Sequence, residues 1–387
     1  MLTKTKRLFS GFYLLFYCGM GLFVTLLPIY LNDLGLNRGE IGLIMAAGPL
    51  ATIIGPPLWG YTADHIRDKK KVLLLCLVGS LVVSLCLTKF PVVVALLPIY
   101  FVYNFFQSGT SPLADSFVLC SLDSSVFGNI RLWGSIGFAG GALLCGQMLG
   151  YFPSSSLFLL YFLIGCTALA FGFLMPPDKA NRHCDDGIHL RDVYKLILNK
   201  QFSLFVLIVL LIMIPYGAYC SFLSLYLKEI GATPFQIGLA WTISAFAEVP
   251  LLAWGARWLR PNRAWVLLGL AATIFGLRWA IYGIWGNHIL ILLLQLLQSV
   301  SFGLFLLVSV QLVNWLTPRD LKAVGQTVFS SVSYGLSFVI GSLLGGYVAM
   351  RYGFGVLFLG AGVLSLIGGV VALLASSKLS RAILKEE

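Results

Sequence analysis

The sequence predicts an all-α membrane protein of twelve transmembrane helices in two pseudo-symmetric six-helix bundles, with both termini in the cytoplasm. Three observations predict it. Of 387 residues, 59% are hydrophobic and 11% are charged, where a soluble domain carries about 25% charged residues. Basic residues gather at every second break between apolar runs. The chain also repeats itself at an offset of 196 positions. A helix needs about 20 apolar residues to cross a bilayer, so twelve crossings need about 240, which the chain supplies.

Apolar runs place helices near 8–31, 40–61, 72–88, 91–120, 129–150, 156–175, 202–227, 237–258, 264–285, 289–316, 323–349 and 355–376. The first run is too long for a signal-peptide core and has no clear cleavage site, so it reads as a spanning helix. The runs group into an N-terminal bundle, 1–175, a cytoplasmic linker, 176–201, and a C-terminal bundle, 202–387. Within the linker, GIHLRDVYKLILNK sets Leu190, Val193 and Ile197 at helical spacing with charges opposite. That suits either a short helix lying on the membrane surface or a solvated connection.

A net charge of +11 suggests nucleic acid only until its placement is read. Lys4, Lys6 and Arg7, then Arg67 and Lys69 to Lys71, then Lys179 to Lys200, then Arg257, Arg260 and Arg263, then Arg319 and Lys322, then Lys378, Arg381 and Lys385 fall at alternate breaks. The intervening breaks hold only Arg38, Lys89, Lys228 and Arg351. This is the positive-inside bias of a multi-pass protein of the cytoplasmic membrane. The expected partners are the lipid bilayer and a small-molecule substrate, with no nucleic acid and no obligatory protein partner; the chain is expected as a monomer.

YLNDLGLNRGEIGL (Tyr30 to Leu43) and YLKEIGATPFQIGL (Tyr226 to Leu239) align without a gap. A duplicated six-helix unit is the architecture of transporters that rock two halves about a midplane site. Glycines spaced for close helix contact, such as Gly134/Gly137/Gly141 and Gly341/Gly345, serve either tight packing or sliding of helices.

Charge inside hydrocarbon costs about 2.5–3.5 kcal/mol even on lenient scales, so it normally faces a partner or a watery cavity. Four such residues stand out: Asp115 and Arg131 in the first half, Glu248 and Arg278 in the second. Opposite signs on consecutive helices suggest that Asp115 and Arg131 face each other. Gln295, Gln298 and Ser301 form a polar stripe on the tenth run, either interhelical glue or cavity lining. Tyr13 with Tyr17, and Tyr216 with Tyr219, are further cavity or core candidates. Eight cysteines are scattered without a CxxC pair, so no metal site is indicated. No nucleotide-binding loop, acid–base constellation or appended sensor domain argues for an ATP-driven machine, an enzyme or a sensor.

The motifs then resemble a known family. GYTADHIRDKKKV (Gly60 to Val72) is similar to the helix 2–3 signature of the major facilitator superfamily. That resemblance implies a conformational latch containing Gly60, whose lack of a side chain permits close helix approach, with Asp64, Arg67 and Lys70. PLADSF (Pro112 to Phe117), FGNIRLWGSIGF (Phe127 to Phe138) and AEVPLLAW (Ala247 to Trp254) resemble the oligosaccharide/H⁺ symporter branch of lactose permease and phenylpropionate permease. The branch implies substrate binding by Asp115, Arg131, Phe138, Glu248, Gln295 and Gln298, and proton coupling through Glu248 and Arg278. Phe138 stands where the sugar permease stacks a tryptophan. The tenth run departs from the branch: Gln295, Gln298 and Ser301 replace its lysine, histidine and glutamate.

The resemblance implies a secondary active transporter, not an enzyme. It would take up a small polar organic solute (sugar, nucleoside or aromatic acid) by proton-coupled alternating access, with no cofactor and a proton gradient as energy source. A proton-driven drug exporter or an uncoupled facilitator of the same fold is the alternative. Exporters tend to carry a proline- and glycine-rich fifth helix, and GSIGFAGGALLCG lacks the proline.

Overall fold

The computed structural model describes residues 2–122, 124–177, 196, 198–255, 259–318 and 321–386. Every regular element among them is helical. The expected amphipathic segment at 187–200 lies largely outside the described residues. In order the helices are α1 (Leu2–Asp33), α2 (Arg38–Ile66), α3 (Lys69–Lys89), α4 (Val93–Ser121), α5 (Ser124–Met148) and α6 (Leu157–Leu174). They continue with α7 (Lys200–Glu229), α8 (Pro234–Trp254), α9 (Pro261–Trp285) and α10 (His288–Leu316). The last run, α11, is Lys322–Ser330, a π turn at Ser331–Leu336 and Ser337–Glu386, with a non-helical corner at Gly353 (φ 86°).

Among the described residues, nine segments are long and apolar enough to span a bilayer, and one of them, Val324–Ser376, has 53 residues. Several helices outrun their apolar cores. α1 begins at Leu2, well before the predicted residue 8, because Lys4, Lys6 and Arg7 extend the helix without contributing hydropathy.

Residues Met1–Cys184 and Leu223–Phe246 form one compact unit, and Asp185–Phe222 and Ala247–Glu387 form another. α7 and α8 are each divided between the two. In the first unit α1 packs along α5 and α6, and α4 along α2 and α3; in the second, α9 packs along α10 and the arm of α11 beyond Gly353.

The internal repeat is structural down to single residues. After α1 the chain turns through Gly35 (φ 81°), and after α7 through Gly231 (φ 87°), a backbone region only glycine enters freely. The next helix in each half opens on a capping box. Asn37 accepts from Glu40 N while the Glu40 carboxylate accepts from Asn37 N; Thr233 and Gln236 do the same.

The same correspondence governs packing. A Cβ on Gly141 would lie 1.9 Å from Cys18 O, and one on Gly341 2.3 Å from Ile214 O. Cys18 and Ile214 are 196 positions apart. A Cβ on Gly21 would meet Phe138 O at 2.0 Å, and one on Gly217, again 196 positions on, would meet Phe338 Cα at 2.7 Å. The α1–α5 and α7–α11 contacts are thus copies of one backbone-to-backbone approach, made possible by small residues.

Overpacking such a contact costs about 1–3 kcal/mol. Gly141→Ala is therefore expected to lower the thermal midpoint in detergent. Gly140→Ala, at a position with no heavy atom within 4 Å, should not. Equal midpoints for the two variants would remove the close approach as a source of stability.

Candidate functional site

In the first unit, α1, α4 and α5 bring Tyr13, Tyr17, Ser111, Asp115 and Arg131 together. Tyr13 and Tyr17 are four apart and so share a helical face; their rings lie 5.9 Å apart. Arg131 Nη1 donates to Asp115 Oδ1 at 3.2 Å and Oδ2 at 3.3 Å, as opposite charges on neighbouring helices predicted. Tyr13 OH donates to Asp115 Oδ1 at 2.5 Å. Arg131 Nη1 also reaches Tyr17 OH, which is 2.7 Å from Ser111 Oγ, and the guanidinium carbon lies 5.1 Å from the Tyr17 ring centre.

Tyr13 and Tyr17 thus orient the acid and the base respectively. Their spacing on α1 was the only sign of this in the sequence, and the function was not readable from it. Every Arg131 bond among the described residues uses Nη1, so its Nε and Nη2 edge has no acceptor there. The Asp115 and Arg131 side chains are 30% and 45% exposed, which leaves that edge open to a solute. Phe138, two turns along α5 from Arg131, is half-buried and is in backbone contact with α1 at Gly21.

In the second unit Arg278 is 1% exposed and its terminal nitrogens are saturated by neutral groups. Nη1 donates to Gln298 Oε1 at 2.7 Å and Ser301 Oγ at 2.6 Å. Nη2 donates to Gln295 Oε1 at 2.9 Å and Tyr282 OH at 3.1 Å. Tyr219 OH donates to Gln295 Oε1 at 3.0 Å, and Gln298 Nε2 donates to Tyr216 OH at 3.3 Å.

Residues three apart lie on one face of a helix, and α10 is also irregular across the stripe. It tightens to a 3₁₀ turn at Gln295–Leu297 and widens to a π turn at Ser299–Gly303. The 3₁₀ turn eclipses positions i and i+3, so Gln295 and Gln298 point together. In this conformation the polar stripe is buried, interhelical hydrogen bonding rather than cavity lining.

Glu248 and Arg278 are the residues to which the resemblance assigns proton coupling. The two form no ion pair among the described residues; Gln298, bonded to Arg278, also lies within hydrogen-bonding reach of Glu248. Gln298 turns its amide oxygen to Arg278 and donates from Nε2 to Tyr216 OH.

The α2–α3 motif is also redistributed. Gly60 makes no close approach, since a Cβ there would meet no heavy atom within 4 Å. Asp64 sits in the last turn of α2, exposed. The acid that caps a helix is Asp68, which accepts from Lys71 N at 3.0 Å. Arg67 ends α2 in the left-handed region (φ 56°). Lys70 Nζ donates to the carbonyls of Phe173 at 2.8 Å and Met175 at 2.5 Å, closing the end of α6. An acid at a helix C-terminus opposes the helix dipole, so Asp64 adds nothing to the stability of α2.

The family model of the MFS_1 like family matches residues 7–359. The chain belongs to the MFS_1 like family. Among its relatives, the maltose permease of Geobacillus stearothermophilus is 29% identical over 364 residues, covering 92% of this chain and 90% of that protein. The probable 3-phenylpropionic acid transporter of Escherichia coli (strain K12) is 26% identical over 373 residues, 93% of this chain and 95% of that one. The crystal structure of the nucleoside transporter NupG superposes with a TM-score of 0.85 at 17% identity, covering 95% of this chain and 98% of that one, a likeness of fold. This MFS_1 like protein is therefore a multi-pass membrane transporter of the major facilitator superfamily and not an enzyme.

Proposed function

We propose that the chain is a secondary active transporter that takes up a small polar organic solute by proton-coupled alternating access. It needs no cofactor and draws on a proton gradient. The reading rests above all on the open Nε and Nη2 edge of Arg131, held beside Asp115 in an apolar unit. Such an edge presents two parallel N–H groups to a carboxylate or to paired hydroxyl oxygens. Asp115 complements it by accepting hydroxyl donors. A sugar, a nucleoside and an aromatic acid each offer one of these groups, consistent with the relatives named maltose permease and 3-phenylpropionic acid transporter. In this reading Phe138 packs against the solute, Glu248 carries the proton, and Gln295, Gln298 and Arg278 answer to its charge.

The same reading takes the polypeptide to be a monomer of twelve crossings in the cytoplasmic membrane. α5 and α8, with 25 and 21 residues, add two crossings to the apolar segments, and the two arms of α11 about Gly353 count as two. The bundles are then 1–175 and 202–387, joined by 176–201, with both termini in the cytoplasm. One observation favours an uncoupled facilitator instead: Gln295, Gln298 and Ser301 cannot titrate.

Counterflow in vesicles tests the function. Protein-loaded vesicles preloaded with maltose, a nucleoside or 3-phenylpropionate should concentrate the labelled form of one of them transiently. If none of the panel exchanges faster than in protein-free vesicles, this solute class is excluded. The latch has its own test. Asp64→Asn is expected to slow exchange about tenfold or more at unchanged solute affinity, because Asp64 contributes nothing to its own helix. An unchanged rate would remove Asp64 from the cycle.

A further inference from the structure

The membrane face opposite the start of α1 carries two ion pairs outside the solute site, and they are reciprocal. Asp33, the last residue of α1, accepts from Lys228 Nζ at 2.7 Å and from Ser154 Oγ at 2.7 Å. Glu229, the last residue of α7, is bonded by Arg38, the first residue of α2. Asp33 and Glu229 occupy the same position in the two repeats, 196 residues apart. Each repeat therefore lends one acid and one base to the other, and both pairs lie within the unit formed by Met1–Cys184 and Leu223–Phe246.

Local structure does not explain these charges. An acid at a helix C-terminus and a cation at a helix N-terminus both oppose the helix dipole. Asp33, Glu229 and Arg38 are all placed in that unfavourable way, and each becomes favourable only through its distant partner. Beside the pairs, α5 and α8 touch backbone to backbone. A Cβ on Gly146 would lie 2.6 Å from Pro234 O, and one on Gly238 2.4 Å from Ala142 O. Thr242 Oγ1 donates to Ala139 O at 2.9 Å.

The four paired side chains are between 33% and 46% exposed. Exposed pairs shift an equilibrium only about two- to fivefold each. That is too little to hold a fold and well suited to a contact made and broken once per transport cycle.

We propose that Asp33–Lys228 and Glu229–Arg38 form a two-bolt gate. The bolts hold the ends of α7 and α8 against α1, α2 and α5, and their breaking sets the rate at which this face opens. Crossed pairing between repeats also makes the gate specific. A helix end that rotates or slips by one residue loses its partner and gains a like charge.

Spin labels at Asn32→Cys and Phe235→Cys, exposed positions outside both pairs, read the gate as a distance distribution. The background is the full chain with its eight native cysteines replaced by alanine. The unmodified pairs should give mainly short distances. Lys228→Asp, which sets a carboxylate against Asp33, should raise the ratio of long to short distances about tenfold. Adding Asp33→Lys should restore it to within about twofold. Arg38→Glu and Arg38→Glu/Glu229→Arg should behave alike, and raising salt to 1 M should move the unsubstituted pairs in the open direction. Unchanged distances on charge reversal, or a double reversal that fails to restore them, overturns the gate. The measurement needs no solute, so its failure is separable from failure of the solute site.

Discussion

Arg131→Gln is expected to abolish solute binding while the protein still inserts and folds. Glutamine can still bond Tyr17 and Ser111, but it lacks both the charge and the two-donor edge. A hydrogen bond to a charged group contributes about 1.5–3 kcal/mol, so losing the two-donor contact should weaken binding by roughly 150-fold or more. Asp115 would keep its bond from Tyr13 but lose its counter-ion. Arg131→Lys restores charge without the planar fork and should recover only part of the affinity. Binding of labelled solute to purified protein, with helicity checked in parallel, distinguishes the outcomes. Wild-type affinity in Arg131→Gln would dismiss the site, and loss of insertion would make the pair structural.

Glu248→Gln is expected to separate coupling from transport. Coupling needs a group that binds a proton in one state and releases it in another. Asp115 is paired with Arg131 at 3.2 Å, and α10 offers two amides and a hydroxyl. Glu248 remains. A charge moved through 100 mV supplies about 2.3 kcal/mol, enough for roughly fiftyfold accumulation. In the variant that accumulation should vanish, while one-for-one exchange, which needs no net proton release, persists. Continued accumulation by Glu248→Gln would assign the proton elsewhere. Failure of exchange as well would make Glu248 a solute ligand first.

What the sequence carried well was whatever depends on local or repeated pattern. Apolar run length placed the helices, and the ungapped block at Tyr30 and Tyr226 foretold matching glycine turns and capping boxes. Asp115 and Arg131 were legible because charge in hydrocarbon demands a partner and the two lie on consecutive helices. The binding of Arg278 by Gln295, Gln298, Ser301 and Tyr282 was not, because helical periodicity does not announce the 3₁₀ and π turns of α10. Nor was the crossing of Asp33 with Lys228 and Glu229 with Arg38 readable. Partner choice between loops about 190 residues apart is made by packing, such as the α5–α8 contact at Gly146 and Gly238.

Uptake into vesicles under an imposed proton gradient, with the solute that exchanges in counterflow, tests proton coupling most directly. Solute should accumulate above its outside concentration when the outside is acidic. Accumulation should collapse when a protonophore is added and be absent in both Arg131→Gln and Glu248→Gln vesicles. Entry that merely equilibrates, at the same rate with and without the gradient, would contradict proton-coupled uptake and leave an uncoupled facilitator.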